Sequence, residues 1–580
     1  MSGKRLSGTM LILLTVACML LGACAPKATP TPVPPPPKPT AVPPTKVPPT
    51  PVPPTPVPPT PVPPTPVPKP RILVLAYVET PAELDIDLLG GLGVEELLAN
   101  AYDAAWGYKI TTSPEGVPMT DISKPGDQGI VGELFESWEI SADGTVYTCH
   151  LRKGVKSYYG NEFTADDYIW RVQRAFNTGF IGAFQYNVAG ITGPKDVTKV
   201  DDYTIQFKLP AGPNPILFKS LATVYTAPAD SKELKAHWIT DKDPWAVEAF
   251  RQHTFGFGPY HLESITAGEG AVLVANPNYW KGKPYWDKII WKEVPDSAVR
   301  FQLLQAGEVH YVFDALTFPQ MEEIYKSPKG KATLWGTTMG NEAQYFALNN
   351  MMEPFNKKEL RQAMAYAMPY AAIRKTAFRE FGGSPACSFV PEMYLHSTCE
   401  YWVYKEDLDK AKQLWTAANG PKEFEIVVDA SRSVYEDVAI LIKTNLAKIG
   451  IDAKIRKVPT SALWEGLNAH TFQSVVQGAL AFVSDGSYNM WLCFHKGIAL
   501  NYAAYFNPEV DKLVDEAMTM AADDPRRGQN AKKAQQILSE EIPAIPMLWR
   551  GFRVGISTDL KGMTWYYDYH LRWNELRWKE

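Results

Sequence analysis

The chain has 580 residues, 45% of them hydrophobic, too much apolar material for one core, so two lobes or more are expected. Residues 1–70 hold six Lys/Arg and no Asp/Glu, leaving 52 basic against 63 acidic side chains beyond them, a formal charge of −11. That balance argues against nucleic acid or an anionic bilayer as the main partner, and no run in the body approaches the roughly 20 apolar residues of a membrane span.

Lys4 and Arg5 precede an apolar stretch from Met10 to Ala23, the charged start and hydrophobic centre of a secretory signal. It closes on Leu21-Gly22-Ala23-Cys24, which resembles the bacterial lipobox and makes Cys24 the expected lipidation site. The competing reading is a plain secretory signal with an incidental cysteine. From Ala25 to Pro70 the chain is mostly Pro, Thr and Val, with Val52-Pro53-Pro54-Thr55-Pro56 repeated at Val57-Pro58-Pro59-Thr60-Pro61. Proline fixes φ and lacks a backbone donor, so this segment is expected to run as polyproline II, a tether between membrane and working domain.

Strand and helix patterns interleave through the body, which predicts an α/β architecture. Tyr147, Cys149 and Leu151 share one strand face and place Cys149 in a core, while Tyr203, Ile205, Phe207 and Leu209 alternate with polar neighbours as a half-buried strand. Helices are expected at Leu360, Met364, Ala367 and Met368, and again at Val510, Leu513, Val514 and Ala517. Between them, Phe424–Val428 reads as a strand. Ser433 and Glu436 have capping-box spacing, and Val438, Leu441, Ile442, Leu446 and Ile449 form a helical face. Gly450 suits the helix end and Ile451–Val458 resumes alternation, completing a βαβ unit.

No GxSxG, HExxH, P-loop or zinc-type Cys/His spacing occurs, so neither a metal nor another cofactor is expected, and the chain reads as a binder rather than an enzyme. Cys387 and Cys399 flank loop-like sequence and are candidates for a disulfide in an oxidising compartment.

A series of blocks identifies a family. Glu133-Leu134-Phe135-Glu136-Ser137-Trp138-Glu139, Asp143-Gly144-Thr145 and Leu151-Arg152-Lys153-Gly154-Val155 are followed by Phe163-Thr164-Ala165-Asp166-Asp167, with Thr164 as a helix cap. Gly258-Pro259-Tyr260, Asn276-Pro277-Asn278-Tyr279-Trp280, Gln305-Ala306-Gly307-Glu308, Leu360-Arg361-Gln362-Ala363 and Asn507-Pro508-Glu509-Val510-Asp511 come next, in order. Together they resemble the family 5 extracellular solute-binding proteins of ABC peptide and nickel importers.

The resemblance implies a two-lobed periplasmic-binding-protein-like fold, type II and cluster C, that closes about a hinge on a small solute, foremost a peptide, and delivers it to permease subunits. The implied boundaries are a signal at 1–23, the tether at 24–70, one lobe at 71–340 and 543–580, and the other at 341–542. The protein would act as a monomer outside the cytoplasm, held at the membrane by lipid. A lipid-anchored receptor reporting to a sensor or chemoreceptor is the second reading, and a hydrolase on a recruited binding fold the third. Asp485 matches an acid that pairs with the ligand's amino group in some relatives; beside Gly486 it also fits an Asx-turn. Tyr488 and Trp491 are expected to wall the pocket or pack in the core. Trp106 and Tyr108 are the candidates from the first lobe, and Phe257 is either a specificity change or packing.

Overall fold

The structure is a computed structural model and describes residues 70–580 apart from 89–90, 180, 313–315, 481–482 and 499. The signal, Cys24 and the tether lie outside the described residues.

One 11-stranded mixed sheet runs through the body. Its first half is built on Ile72–Tyr77, an apolar run that pairs in parallel with Lys288–Glu293 and Tyr311–Val312. Such a strand is covered on both faces, which is why it shows no alternation. The second half contains Ser474–Leu480, Glu423–Asp429 and Asp452–Val458. Glu423–Asp429 and Asp452–Val458 pair in parallel around the helix Ser433–Ala447, so the βαβ unit is present where it was expected. Its capping box is not. Ser433 is already helical and Arg432 stands before it, while Glu436 is bound across to Lys457 at 2.7 Å.

Two long strands join the halves, Ala332–Leu348 and Ala544–Ser557. Ala332–Thr337 pairs with Phe552–Ser557, and Glu342–Ala347 pairs with Ala544–Arg550 on one side and with Ser474–Leu480 on the other. The ladder breaks between Thr337 and Glu342. A Cβ on Gly340 would fall 1.6 Å from the Arg550 carbonyl oxygen, and only glycine permits that approach. The Tyr569 hydroxyl braces the break: it receives the Asn341 and Glu342 N–H groups at 3.2 and 3.3 Å and donates to the Arg550 carbonyl at 2.6 Å.

A separate antiparallel sheet, ordered Phe135–Ile140, Val146–Leu151, Thr204–Lys208, Val197–Asp201, extends the first lobe, with Cys149 fully buried in it. The helix Ala165–Thr178 follows Thr164, whose N–H donates to the Asp167 carboxylate at 2.8 Å. From this helix Arg171 and Arg174, both fully buried, bind Asp85 and Asp87. These ion pairs tie the extension to the main body.

Candidate functional site

Side chains from the two lobes meet at the start of the helix Gly486–Phe494. Asp485 caps that helix, accepting from the Ser487 and Tyr488 N–H groups at 3.0 and 3.2 Å, so its Asx-type geometry is real. The same carboxylate takes the Arg527 guanidinium at 2.7 Å. Burial pushes its pKa up, but Arg527 and then Lys219 outweigh burial and hold it below the ordinary aspartate range. Its neighbour Ser484 receives the other lobe. Lys219 of the first lobe donates to the Ser484 carbonyl at 2.7 Å, and the Tyr108 hydroxyl lies 3.4 Å from Ser484 Oγ.

Aromatic contact continues the seam. Trp491 is half-buried, stacked on Tyr488 at 6.0 Å and facing Phe184 of the first lobe at 6.4 Å. Tyr488 is fully buried, and its ring carries a hydroxyl without a hydrogen-bond partner. Tyr108 packs on Tyr567 at 4.7 Å. Trp106 lies one layer deeper, among Phe135, Trp138 and Phe218. Phe257 is fully buried on Phe163 at 5.1 Å, a core position of the first lobe. Four of the expected residues, Asp485, Tyr488, Trp491 and Tyr108, thus gather at the seam; Phe257 is packed in the first lobe, and Trp106 packs among aromatic rings while also lining a cavity beside Tyr108.

Sequence reasoning missed Lys219, Arg527, His396 and Tyr394. Lys219 had a signal: it is a lone charge inside the apolar helix Leu217–Leu221. Tyr394 and His396 belong to the loop closed by Cys387 and Cys399, which are disulfide-bonded with Cα atoms 5.0 Å apart. Gln535 pins that loop, accepting from Ser388 Oγ at 2.8 Å and donating to the His396 carbonyl at 2.8 Å. The Tyr394 hydroxyl accepts from Asn341 at 2.9 Å, so one end of the loop rests on the hinge.

A cavity of about 100 Å³ next to the seam is lined by Trp106, Tyr108, Tyr567, Asp103, Lys281 and Glu575. All of its lining residues belong to the first lobe, and it is far below the roughly 300 Å³ of an ordinary small-molecule site. The larger hollow, about 750 Å³, lies on the outer sheet by Arg152, Tyr203 and Trp280. It is a groove within the first lobe, and the site is placed instead where side chains of both lobes converge. Among the described residues no cluster of His, Cys, Asp or Glu is set to hold a metal ion.

The model of the bacterial extracellular solute-binding proteins, family 5, matches residues 129–501. The chain belongs to this family. The oligopeptide-binding protein AppA of Bacillus subtilis is 27% identical over 83% of this chain and 89% of its own length. Heme-binding protein A of Haemophilus influenzae is 29% identical over 76% and 82%. The periplasmic binding protein DppA from Helicobacter pylori, solved with the peptide STSA, superposes with a TM-score of 0.72 over 88% of this chain and 98% of its own, at 23% identity, which shows the shared fold. The family 5 protein described here is therefore a substrate-binding protein of an ABC importer, with the two-lobed fold of the periplasmic binding proteins.

Proposed function

We propose that this family 5 protein captures a peptide outside the cell, encloses it between the lobes and releases it unaltered to membrane permease subunits. The carrying observation is the hinge: two adjacent strands are the crossings, and both lose their mutual ladder at Thr337–Glu342. A solute touching both lobes stabilises the closed state by the contacts that exist only there, so recognition and closure are one event. The peptide reading rests on relatives whose names record oligopeptide and dipeptide binding. It also rests on the physical fact that backbone pairing accepts varied side chains.

The first lobe is proposed to begin at 71 and end at 340. We place the return to it at Gly551 rather than 543, because residues 544–550 pair with Glu342–Ala347. Anchoring through a lipid on Cys24, a tether over 24–70 and action as a monomer complete the proposal. Mass spectrometry of the small molecule released on denaturing freshly purified protein tests it. Peptides are expected; a uniform non-peptide molecule would replace that part of the reading.

A further inference from the structure

The crossing strands separate two different contacts between the lobes. Along Ile72–Tyr77 the side chains of Leu73, Leu75 and Tyr77 enter one core and those of Val74 and Ala76 another, and along the second half of Ala332–Leu348, Ala343, Tyr345 and Ala347 part in the same way from Phe346 and Leu348. The core on the first face runs through both lobes and includes the seam residues Tyr108 and Tyr488. On the opposite face each lobe keeps a core of its own, and Phe318 of the first lobe packs against both.

Phe318 opens the helix Phe318–Lys326. Its ring meets Phe378 of the second lobe at 5.3 Å, Tyr325 of the same helix meets Phe381 at 5.6 Å, and Glu322 lies 3.6 Å from Arg379. This contact has no slack. A Cβ on Gly382 would fall 2.5 Å from the Phe318 ring, and the backbone there is tied to a crossing strand: the Gly551 N–H donates to the Gly382 carbonyl at 3.0 Å, and Gly383 pairs with Arg550. Arg379 and Glu380 lead into it with φ of 53° and 62°, the left-handed region that residues with a Cβ seldom occupy. Two such residues in succession persist only where the surroundings hold them, here in a turn that lays Phe381 on Tyr325.

The seam and this second contact lie on opposite faces of the crossing strands, so a rotation about those strands that parts Lys219 from Ser484 drives Phe318 towards Phe378 and Gly382. Close-packed rings do not compress. We propose that Phe318, with Tyr325 behind it, is a stop on the far face of the hinge, which stabilises the shut seam and limits how far the lobes part when no solute is bound. It rests on the solute-capture reading above and adds to it a contact that no solute touches. A contact that is intact with the seam shut and must be forced as the seam opens biases the pair of states towards closure, and every solute that needs closure gains from that bias alike.

The test compares the mature protein with Phe318→Ala and Tyr325→Ala, each stripped of solute by unfolding and refolding and checked by circular dichroism. Tyr325 is 65% exposed, so its truncation should not hinder folding; if Phe318→Ala fails to refold, Phe318→Leu takes its place. Small-angle scattering of the solute-free variants is expected to give a larger radius of gyration than the solute-free parent, with the greater shift at Phe318. In isothermal titration calorimetry with pooled tri- to pentapeptides, affinity is expected to fall severalfold while the radius of the loaded form stays that of the parent. A Phe318 that only packs the fold would lower the urea midpoint and leave the solute-free radius unchanged. An unchanged or smaller solute-free radius in both variants, or an unchanged affinity for peptides that the parent binds, overturns the stop. If the parent binds no peptide, the peptide reading fails by itself and the solute-free scattering alone decides the stop.

Discussion

Glu96 shows how one buried group sets a pH response. Its carboxylate accepts from Trp573 at 2.7 Å and from Tyr311 at 3.2 Å, and burial lifts its pKa from 4.5 to about 7. Glu95 and His570 beside it are raised as well, Glu95 by burial, His570 by Asp568 and the two glutamates against its own burial. Asp568, bound to Arg572, moves the other way: against its burial, the Arg572 and His570 charges hold its carboxyl below the ordinary aspartate range. A raised carboxyl binds its proton more tightly when folded, so the protein gains stability below about pH 4.5 and loses it as pH rises through about 7. The thermal midpoint is therefore expected to fall between pH 5.5 and pH 8, and Glu96→Gln to flatten that slope. The full effect is on the order of a few kcal/mol. An unchanged slope in the variant, measured by scanning fluorimetry, would assign the response elsewhere. At this scale the sequence was half legible. Asp485 beside Gly486 reads as a cap from its neighbours alone, and it is one. Its partner Arg527 is 42 residues away on a helix whose local pattern, Arg526-Arg527 and Lys532-Lys533, looks like a solvated basic face. Long-range charge pairing leaves no trace in spacing.

Elements with one solvated face were the most readable. The strand Thr204–Lys208 and the helix Lys358–Ala367 lie where alternation and helical periodicity put them. The two crossing strands were not readable, because every residue of Glu342–Leu348 is buried, and a strand covered on both sides keeps no period of two. Their geometry yields a sharp expectation. Gly340→Ala forces a methyl into the Arg550 carbonyl, so the ladder around the hinge must shift. A loss of about 1–3 kcal/mol in denaturant unfolding is expected, together with a changed open-to-closed balance. The ion pairs of Arg171 and Arg174 give a second. Asp87→Asn leaves two buried guanidinium groups under-neutralised, and about 3–5 kcal/mol should be lost, read as a lower urea midpoint. Third, Cys387→Ser with Cys399→Ser reopens a loop of 12-residue separation and should cost up to about 3 kcal/mol.

Across the whole molecule, the lobes meet through the seam contacts Lys219–Ser484, Tyr108–Ser484 and Phe184–Trp491 and, nearer the crossing strands, through the ring pairs Phe318–Phe378 and Tyr325–Phe381. Small-angle scattering is expected to give a larger radius of gyration for solute-free protein than for the loaded form. Identical profiles would mean that closure does not depend on solute. The same strand arrangement also governs the order in which the chain becomes a protein. Residues 72–312 cannot finish their half of the sheet until Phe552–Ser557 arrives to lie between Tyr311–Val312 and Ala332–Thr337. The inserted lobe, by contrast, has all its strands once Arg550 has appeared. A polypeptide exported amino end first would thus complete its second lobe before its first, and the early segment must wait, unsealed, for the last few dozen residues to cross the membrane.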